Sequence, residues 1–572
     1  MTKRPQDTSA EEPDGGNPHI RFRGGPRLGD RPGLLNTSTD NQDLSRASSS
    51  IRPKAILLAA LASWCATAHA VEFPTGSDVH VRWDNTIKYS DAFRVKQRDQ
   101  YLLSSANQDD GDQNFARGMI SNRLDLLSEF DVSFHDYGLS ASAAGWYDSV
   151  YNRSNDNHSP ATFNPVSVSN THFPTDTRDI NGRYAEFLNA FVYGKESIGE
   201  TTLTWRAGRH TLLWGESLLI PNNGIAYGQA PLDIIKLLSV PNTLAKELFL
   251  PVAQLSTQLQ MPHDVSIAAY TQFEYRKTRL PGVGSYFSFL DFADAGGERI
   301  FAGPLSLYRY PDEKPRNMGQ WGVALRYSSD KLGADFGLYA LTYDDKLPQV
   351  GILVNPNFAV GRLGNYYLVY PHDAHIYGFS VSTSAGAANI AGEVSVRTNT
   401  PLVSGPSITP TIATSSSPSG AIGESLHAQV SVLYALHSSP LWQGGDFAGE
   451  LAYNSRLSIT RNPASLDPTT TKNAMGLRFL FNPTWFQVLP GADVTVPIGV
   501  GYNFWGNSSV VQLFNGGAVR GGDITTGANV AFRTVWKASL TYTKYLEFGK
   551  AHNPANFYVD RDFIALSLQR TF

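Results

Sequence analysis

Over much of this chain apolar residues recur at every second position, and no other feature limits the fold as strongly. The last stretch, "RDFIALSLQRTF", shows the pattern: Ile564, Leu566 and Leu568 share one side with the final Phe572, while Ala565, Ser567, Gln569 and Thr571 share the other. A period of two belongs to an extended strand with unlike faces. In "VHVRWDNTIKY", Val79, Val81, Trp83, Ile87 and Tyr89 alternate with His80, Arg82, Asp84, Thr86 and Lys88. In "RLDLLSEFDVSF", Leu124, Leu126, Phe130, Val132 and Phe134 alternate with Arg123, Asp125, Glu129, Asp131 and Ser133. Noisier versions lie at 137–147, 184–193, 201–209, 265–276, 321–327, 334–343, 375–383, 388–397, 426–434, 447–453, 494–502 and 538–544, with shorter candidates at 252–261, 474–481 and 530–535. At ~10 residues per strand the expected total is roughly 14–18 strands.

Two architectures use such strands. A water-soluble sandwich hides the apolar faces and exposes the charges. A transmembrane antiparallel β-barrel turns the apolar faces to lipid and keeps the charges in its lumen. No stretch approaches the roughly 18 apolar residues of a membrane-spanning helix. Many strands begin or end on Tyr, Trp or Phe, as in the aromatic girdles of barrels. A barrel would also place Arg82, Arg123, Asp125, Glu129, Glu186, Arg206, Glu393 and Arg397 inward, whereas a lone Arg or Lys facing lipid costs about 2–4 kcal/mol at the midplane. The expected fold is therefore all-β, a transmembrane barrel over 71–572. The polar stretches at 152–179 and 400–425 fall between strands and read as long outer loops, which barrels pair with short turns at the other end.

The N-terminal side agrees. In "AILLAALASWCATAHA", residues 55–70, a short apolar run follows Arg52 and Lys54 and ends in Ala68-His69-Ala70. This is the layout of a secretory signal cleaved after Ala70. Cys65 carries Trp64 beside it, too bulky for a lipoprotein signal. Residues 1–54 are rich in Pro, Gly, Ser and charge and read as a disordered extension or a mis-assigned start. Translation from near Leu44 would leave 1–43 unmade; a genuine extension is the alternative. The only cysteine leaves with the signal, so no disulfide framework holds the remainder. Removing the 9 basic and 7 acidic residues of 1–70 from the chain's 47 and 51 leaves 38 and 44, a net charge of −6. That balance is no footprint for nucleic acid.

One region breaks the alternation. "WRAGRHTLLWGESLLIPNNGIAYGQAPLDIIKLLSVPNTLAKELFLP" leaves a strand, carries a Gly-rich turn, then shows two short helical patterns. Pro231 sits near a helix start, and Ile235, Leu238, Leu248 and Phe249 fall on apolar helical faces. Between spanning strands such faces need cover, so about 210–251 is expected to fold into the lumen as a plug, with a helical surface loop as the alternative. Arg209 and Glu216 are expected to pair and hold the turn. The four apolar residues are expected to line a greasy path. "GESLL" lacks the spacing of a nucleophile elbow, and no phosphate loop, zinc motif or redox pair is present. No catalytic, metal or cofactor group is nominated; His372 and His375 around Asp373 read as solvated.

The same segment carries a family resemblance. "AGRHTLLWGES", "APLDIIKL" and "PVAQLSTQLQM" resemble the proteobacterial outer-membrane family called domain of unknown function 1302. The shared features are Gly208-Arg209, Trp214-Gly215-Glu216-Ser217 and Pro231-Leu232-Asp233. The chain departs from the family at His210, where Gln is common. The resemblance implies an outer-membrane barrel set in lipid, encoded beside a periplasmic partner and an inner-membrane exporter, with no enzymatic activity. Phe572 resembles the terminal signal read by the barrel-assembly machinery, with a departure at Arg570. The functional expectation is passage of a small hydrophobic or lipid-like compound across the bacterial outer membrane. A structural or adhesive barrel, or an outer-membrane lipase, is the alternative.

Overall fold

Alternation becomes a wall. The computed structural model describes residues 71–73, 78–240, 245–549, 553 and 555–572. The extension expected at 1–54, the signal at 55–70 and the cleavage point after Ala70 lie outside the described residues. Among those described, 18 strands pair antiparallel into one closed ring. Each wall strand pairs with the next in sequence. The first, Val79–Arg94, also pairs with the last, Phe563–Thr571, from Thr86↔Thr571 to Arg94↔Phe563. Ala492–Thr495 and Ile498–Trp505 are two pieces of one strand, since both lie between Asn473–Leu489 and Gly521–Phe532. A closed ladder leaves no edge unpaired, the condition for strands in lipid.

The two faces separate as alternation requires. Arg123 and Asp125 are 2% and 7% exposed, while Leu124 and Leu126 between and beside them are 41% and 47% exposed. In the terminal strand Leu566 and Leu568 face out, and Ala565 and Gln569 face in. The inward charges of the first strands join ion pairs: Arg123 with Asp125 at 2.7 Å, and Arg82 with Asp84 at 2.7 Å.

The ring has unlike ends. At one, strands turn within a few residues, as at 135–136, 199–200 and 386–387. At the other lie the connections 95–117, 149–182, 211–251, 273–320, 344–373 and 402–421. The polar stretches 152–179 and 400–425 fall at this second end. The long connections have a structure that alternation did not disclose. Arg299–Ala302, Leu305–Arg309, Gln349–Asn357, Arg362–Val369 and Ser407–Thr409 make a separate five-stranded sheet. Its core is Phe292, Ile300, Leu307 and Tyr366. A second cluster joins Phe115, Tyr151, Phe173, Tyr286 and Tyr558 from four connections with Phe563 of the wall.

Candidate functional site

The 211–251 connection leaves the Thr201–His210 strand at Gly208, whose φ is +125°. A β-carbon there would overlap the Ala190 carbonyl oxygen, so only glycine passes. The next two residues go opposite ways. His210 points into the lumen, where its Nε2 lies 2.8 Å from Ser256 Oγ. Arg209 points to the outer side and pairs with Glu274 at 2.6 Å. The expected Arg209–Glu216 pair is therefore corrected: alternation turns Arg209 away from the lumen that Glu216 enters. Arg206, on the inward side, lies over the Phe191 ring at 5.9 Å.

Inside, the chain runs from Trp214 to Gln229 across the bore. Trp214 is buried between two inward wall residues, Tyr270 at 5.1 Å and Tyr339 at 6.1 Å between ring centroids. Gly215, at φ +93°, lies so close to Glu393 that any β-carbon would strike its carboxylate. Glu393, on the Ala388–Pro401 strand, accepts the Glu216 amide at 2.6 Å and the Ile225 amide at 2.8 Å. Glu450, on Gly444–Arg461, accepts three successive amides, Leu218 at 2.9 Å, Leu219, and Ile220 at 3.1 Å, plus the Ser217 hydroxyl at 3.1 Å. Consecutive N–H groups turned one way form a nest for an anion, and here the anion is part of the wall. Arg397 donates to the carbonyls of Asn222 at 3.1 Å and Gly224 at 3.0 Å, and its guanidinium covers the Tyr227 ring at 4.8 Å. Asn223 is held between Gln429, His427 and Asn454.

Going round the ring from Thr201–His210, Ala388–Pro401 is the sixth wall strand reached and Gly444–Arg461 the eighth. In a ring of 18 strands the attachments are therefore on the far wall. Alternation placed Glu393 and Arg397 inward, where they are; Glu450, Gln429, His427 and Asn454 were not singled out. Their signal was present: Glu450 stands in "FAGELAY" on the side opposite Phe447, Leu451 and Tyr453.

The rest of the segment returns along the near wall. Asp233 caps the helix Ile234–Ser239 by accepting the Lys236 amide at 2.9 Å, and its other oxygen takes Arg279 at 2.6 Å. Glu186 binds both Arg276 and Arg279, and Lys236 meets Glu247 at 3.1 Å. The Trp146 ring carries three cations: Arg123 at 4.7 Å, Lys236 at 5.3 Å and Arg279 at 5.4 Å. The Pro231 carbonyl accepts the Leu250 amide at 2.8 Å, and Leu232 bridges Phe249. Ile235 is buried, Leu238 packs on the aromatic cluster of the long connections, and Leu248 and Phe249 are half-buried. Glu129 lies half-buried on the inward face opposite Asp84.

Above the crossing chain is a cavity of about 350 Å³. Arg397, Tyr227 and Asp345 contribute polar lining, and Phe289, Val511 and Phe557 apolar lining. The Tyr227 hydroxyl donates to Asp345 at 2.8 Å, and Lys346 Nζ donates to the Gly228 carbonyl at 3.0 Å. Burial pushes the Lys346 ammonium down to about 8 and holds the Asp345 and Glu216 carboxyls above their ordinary range. Ser217 gives its hydroxyl to Glu450. His372 and His375 meet the hydroxyls of Ser416 and Thr342.

A closed β-barrel crossed inside by its own chain is the class this geometry defines. The chain belongs to the family described as Protein of unknown function (DUF1302), whose sequence pattern matches residues 51–572. No curated protein sequence matches it. Among solved structures it is similar to OccAB1 of Acinetobacter baumannii, at 10% identity over 89% of this chain and 99% of that one, with a TM-score of 0.41. OpdK of Pseudomonas aeruginosa, solved with vanillate, is 9% identical over 86% and 98%, with a TM-score of 0.38. The outer-membrane channel DcaP of Acinetobacter baumannii is 8% identical over 88% and 100%, with a TM-score of 0.36. Values this low transfer nothing from those proteins to this chain.

Proposed function

We propose that this protein is a bacterial outer-membrane channel for a small, largely hydrophobic compound, with the 211–251 segment setting its constriction. The observation that carries the reading is the crossing chain itself. Residues 214–229 are fixed to the far wall by Glu393, Glu450 and Arg397, beneath a cavity of mixed lining. Ligand sites are mostly apolar with a few placed polar groups, and this cavity has that composition. The signal expected at 55–70, the outward apolar faces and the closed ladder support the location. The cavity is a place for cargo to rest, not a reaction centre.

The test is conductance in planar bilayers together with uptake of a hydrophobic probe into proteoliposomes. Deleting 214–229 should raise conductance to small ions severalfold and remove selectivity for the probe. A deletion variant that inserts as a barrel yet conducts and transports as the parent does would overturn the reading. A periplasmic partner, an inner-membrane exporter and recognition of Phe572 by the assembly machinery belong to the same proposal. Co-purification from cross-linked membranes tests the two partners.

A further inference from the structure

The long connections contain a second set of acids that the channel reading leaves unused. Asp109 and Asp110 lie in the 95–117 connection, within "NQDDGDQN", and Asp291 lies in 273–320. One oxygen from each lies within 4.8 Å of the other two. All three residues are fully buried. Neighbouring acids are balanced: Asp112 meets Arg94 at 2.9 Å and Arg561 at 2.8 Å, and Asp560 meets Arg94 at 2.7 Å. Among the described residues no basic side chain forms an ion pair with Asp109, Asp110 or Asp291. The Oδ1 atom of each has no hydrogen-bond partner. Their other oxygens are used: Asp110 accepts the Asn164 amide at 3.1 Å, Asp291 the Asp110 amide at 3.0 Å, and Asp109 the Gln113 side chain at 3.3 Å.

Neutral oxygens belong to residues that adjoin these acids. Asn164 comes from a third connection, 149–182, and is fully buried. Its amide nitrogen donates to Asn107 Oδ1 and the Arg299 carbonyl, each at 2.9 Å, while its Oδ1 has no partner. Ser288, also buried, leaves its hydroxyl unpartnered. That hydroxyl sits 2.6 Å from where a β-carbon on Gly111 would be, and the Ser285 carbonyl sits 2.8 Å from the same point. Buried polar atoms are almost always satisfied. Here orphaned oxygens of three acids, an amide and a hydroxyl adjoin one turn.

We propose that Asp109, Asp110 and Asp291, together with Asn164, bind a calcium ion that staples three of the long connections together. Carboxylates left charged and unpaired in a buried site are strongly disfavoured, so such a site either takes protons or takes a cation. The donors are hard oxygens only, with no His or Cys among them, which disfavours zinc. Calcium accepts six to eight oxygens in irregular geometry, whereas magnesium needs a near-regular octahedron and keeps its water. Asn164 and the Ser285–Ser288 turn offer the additional oxygens. The inference stands whether or not the barrel conducts.

The test uses the full barrel in detergent micelles free of lipopolysaccharide, stripped with EGTA. Titration with calcium chloride should give one site with Kd on the order of 0.1–1 mM or tighter, the range of extracellular calcium modules. Magnesium should bind at least tenfold more weakly. Calcium should raise the unfolding midpoint and slow hydrogen exchange of peptides covering 107–114 and 285–291. Asp110→Asn/Asp291→Asn should abolish the binding. Should that variant fail to fold, exchange of the parent protein with and without calcium still decides. No heat and unchanged exchange at about ten times the upper end of that range overturns the proposal, and the acids are then protonated. Binding that survives in the folded double variant overturns it too.

Discussion

Gly208 and Arg209 stand side by side and show what a single residue can and cannot do. Gly208→Ala puts a methyl into the Ala190 carbonyl at a positive φ, and such strain costs about 1–3 kcal/mol. The unfolding midpoint in urea should fall accordingly; an unchanged midpoint would mean the turn relaxes freely. Arg209→Ala should leave conductance untouched, because its partner Glu274 lies on the outer side. Lys346 gives a pH signature. Burial holds its folded value near 8, below the usual 10.5. The charged form then opposes folding below about pH 8, and the opposition fades as pH rises from 8 towards 10.5. Stability of the parent should rise relative to Lys346→Met across that window. Parallel curves would show that Lys346 does not titrate there.

At the scale of elements, the crossing chain depends on few anchors. Glu450 alone accepts three backbone amides that have no other acceptor among the described hydrogen bonds. Glu450→Ala should therefore release 217–220 more than loss of any one apolar contact would. Single-channel recordings should show a larger and noisier conductance, and a quiet trace of parental size would count against the anchor. Much of this was legible. Alternation placed Glu393 and Arg397 inward, and the break after His210 located the segment. The same alternation contained the answer for Arg209: Arg206 faces in, so a residue three positions on faces out. The five-stranded sheet was not legible, because its strands are short and its pairings join residues as distant as Ser306 and Arg362. Gly521–Phe532, "GGDITTGANVAF", is legible only at its end, since Gly and Thr mark neither face.

For the whole molecule, closure is the decisive event. Phe572 exchanges both backbone bonds with Asn85, at 2.7 and 2.9 Å, and the strand before it completes the ring. Folded protein should migrate faster on a gel before boiling than after. Deleting Phe572 should lower the folded fraction in membranes more than deleting a residue at 135–136. Equal yields would show that closure tolerates a shorter last strand. The acidic turn at 107–112 is not legible in the sequence, because clustered Asp and Gly read as loop and only burial separates a solvated turn from a buried one.

The chord that Trp214–Gln229 draws across the bore has a mechanical consequence. An unsupported ring of 18 strands can flatten into an ellipse under lateral pressure. A strut fastened at Glu450 fixes one diameter and so forbids the softest of these deformations. The only cysteine, Cys65, precedes the wall, so spin labels can be placed at will. A pair at Ala207 and Leu451 should give one narrow distance in the parent and a broad spread once the strut is cut. The barrel's roundness would then be set by its interior and not by its staves.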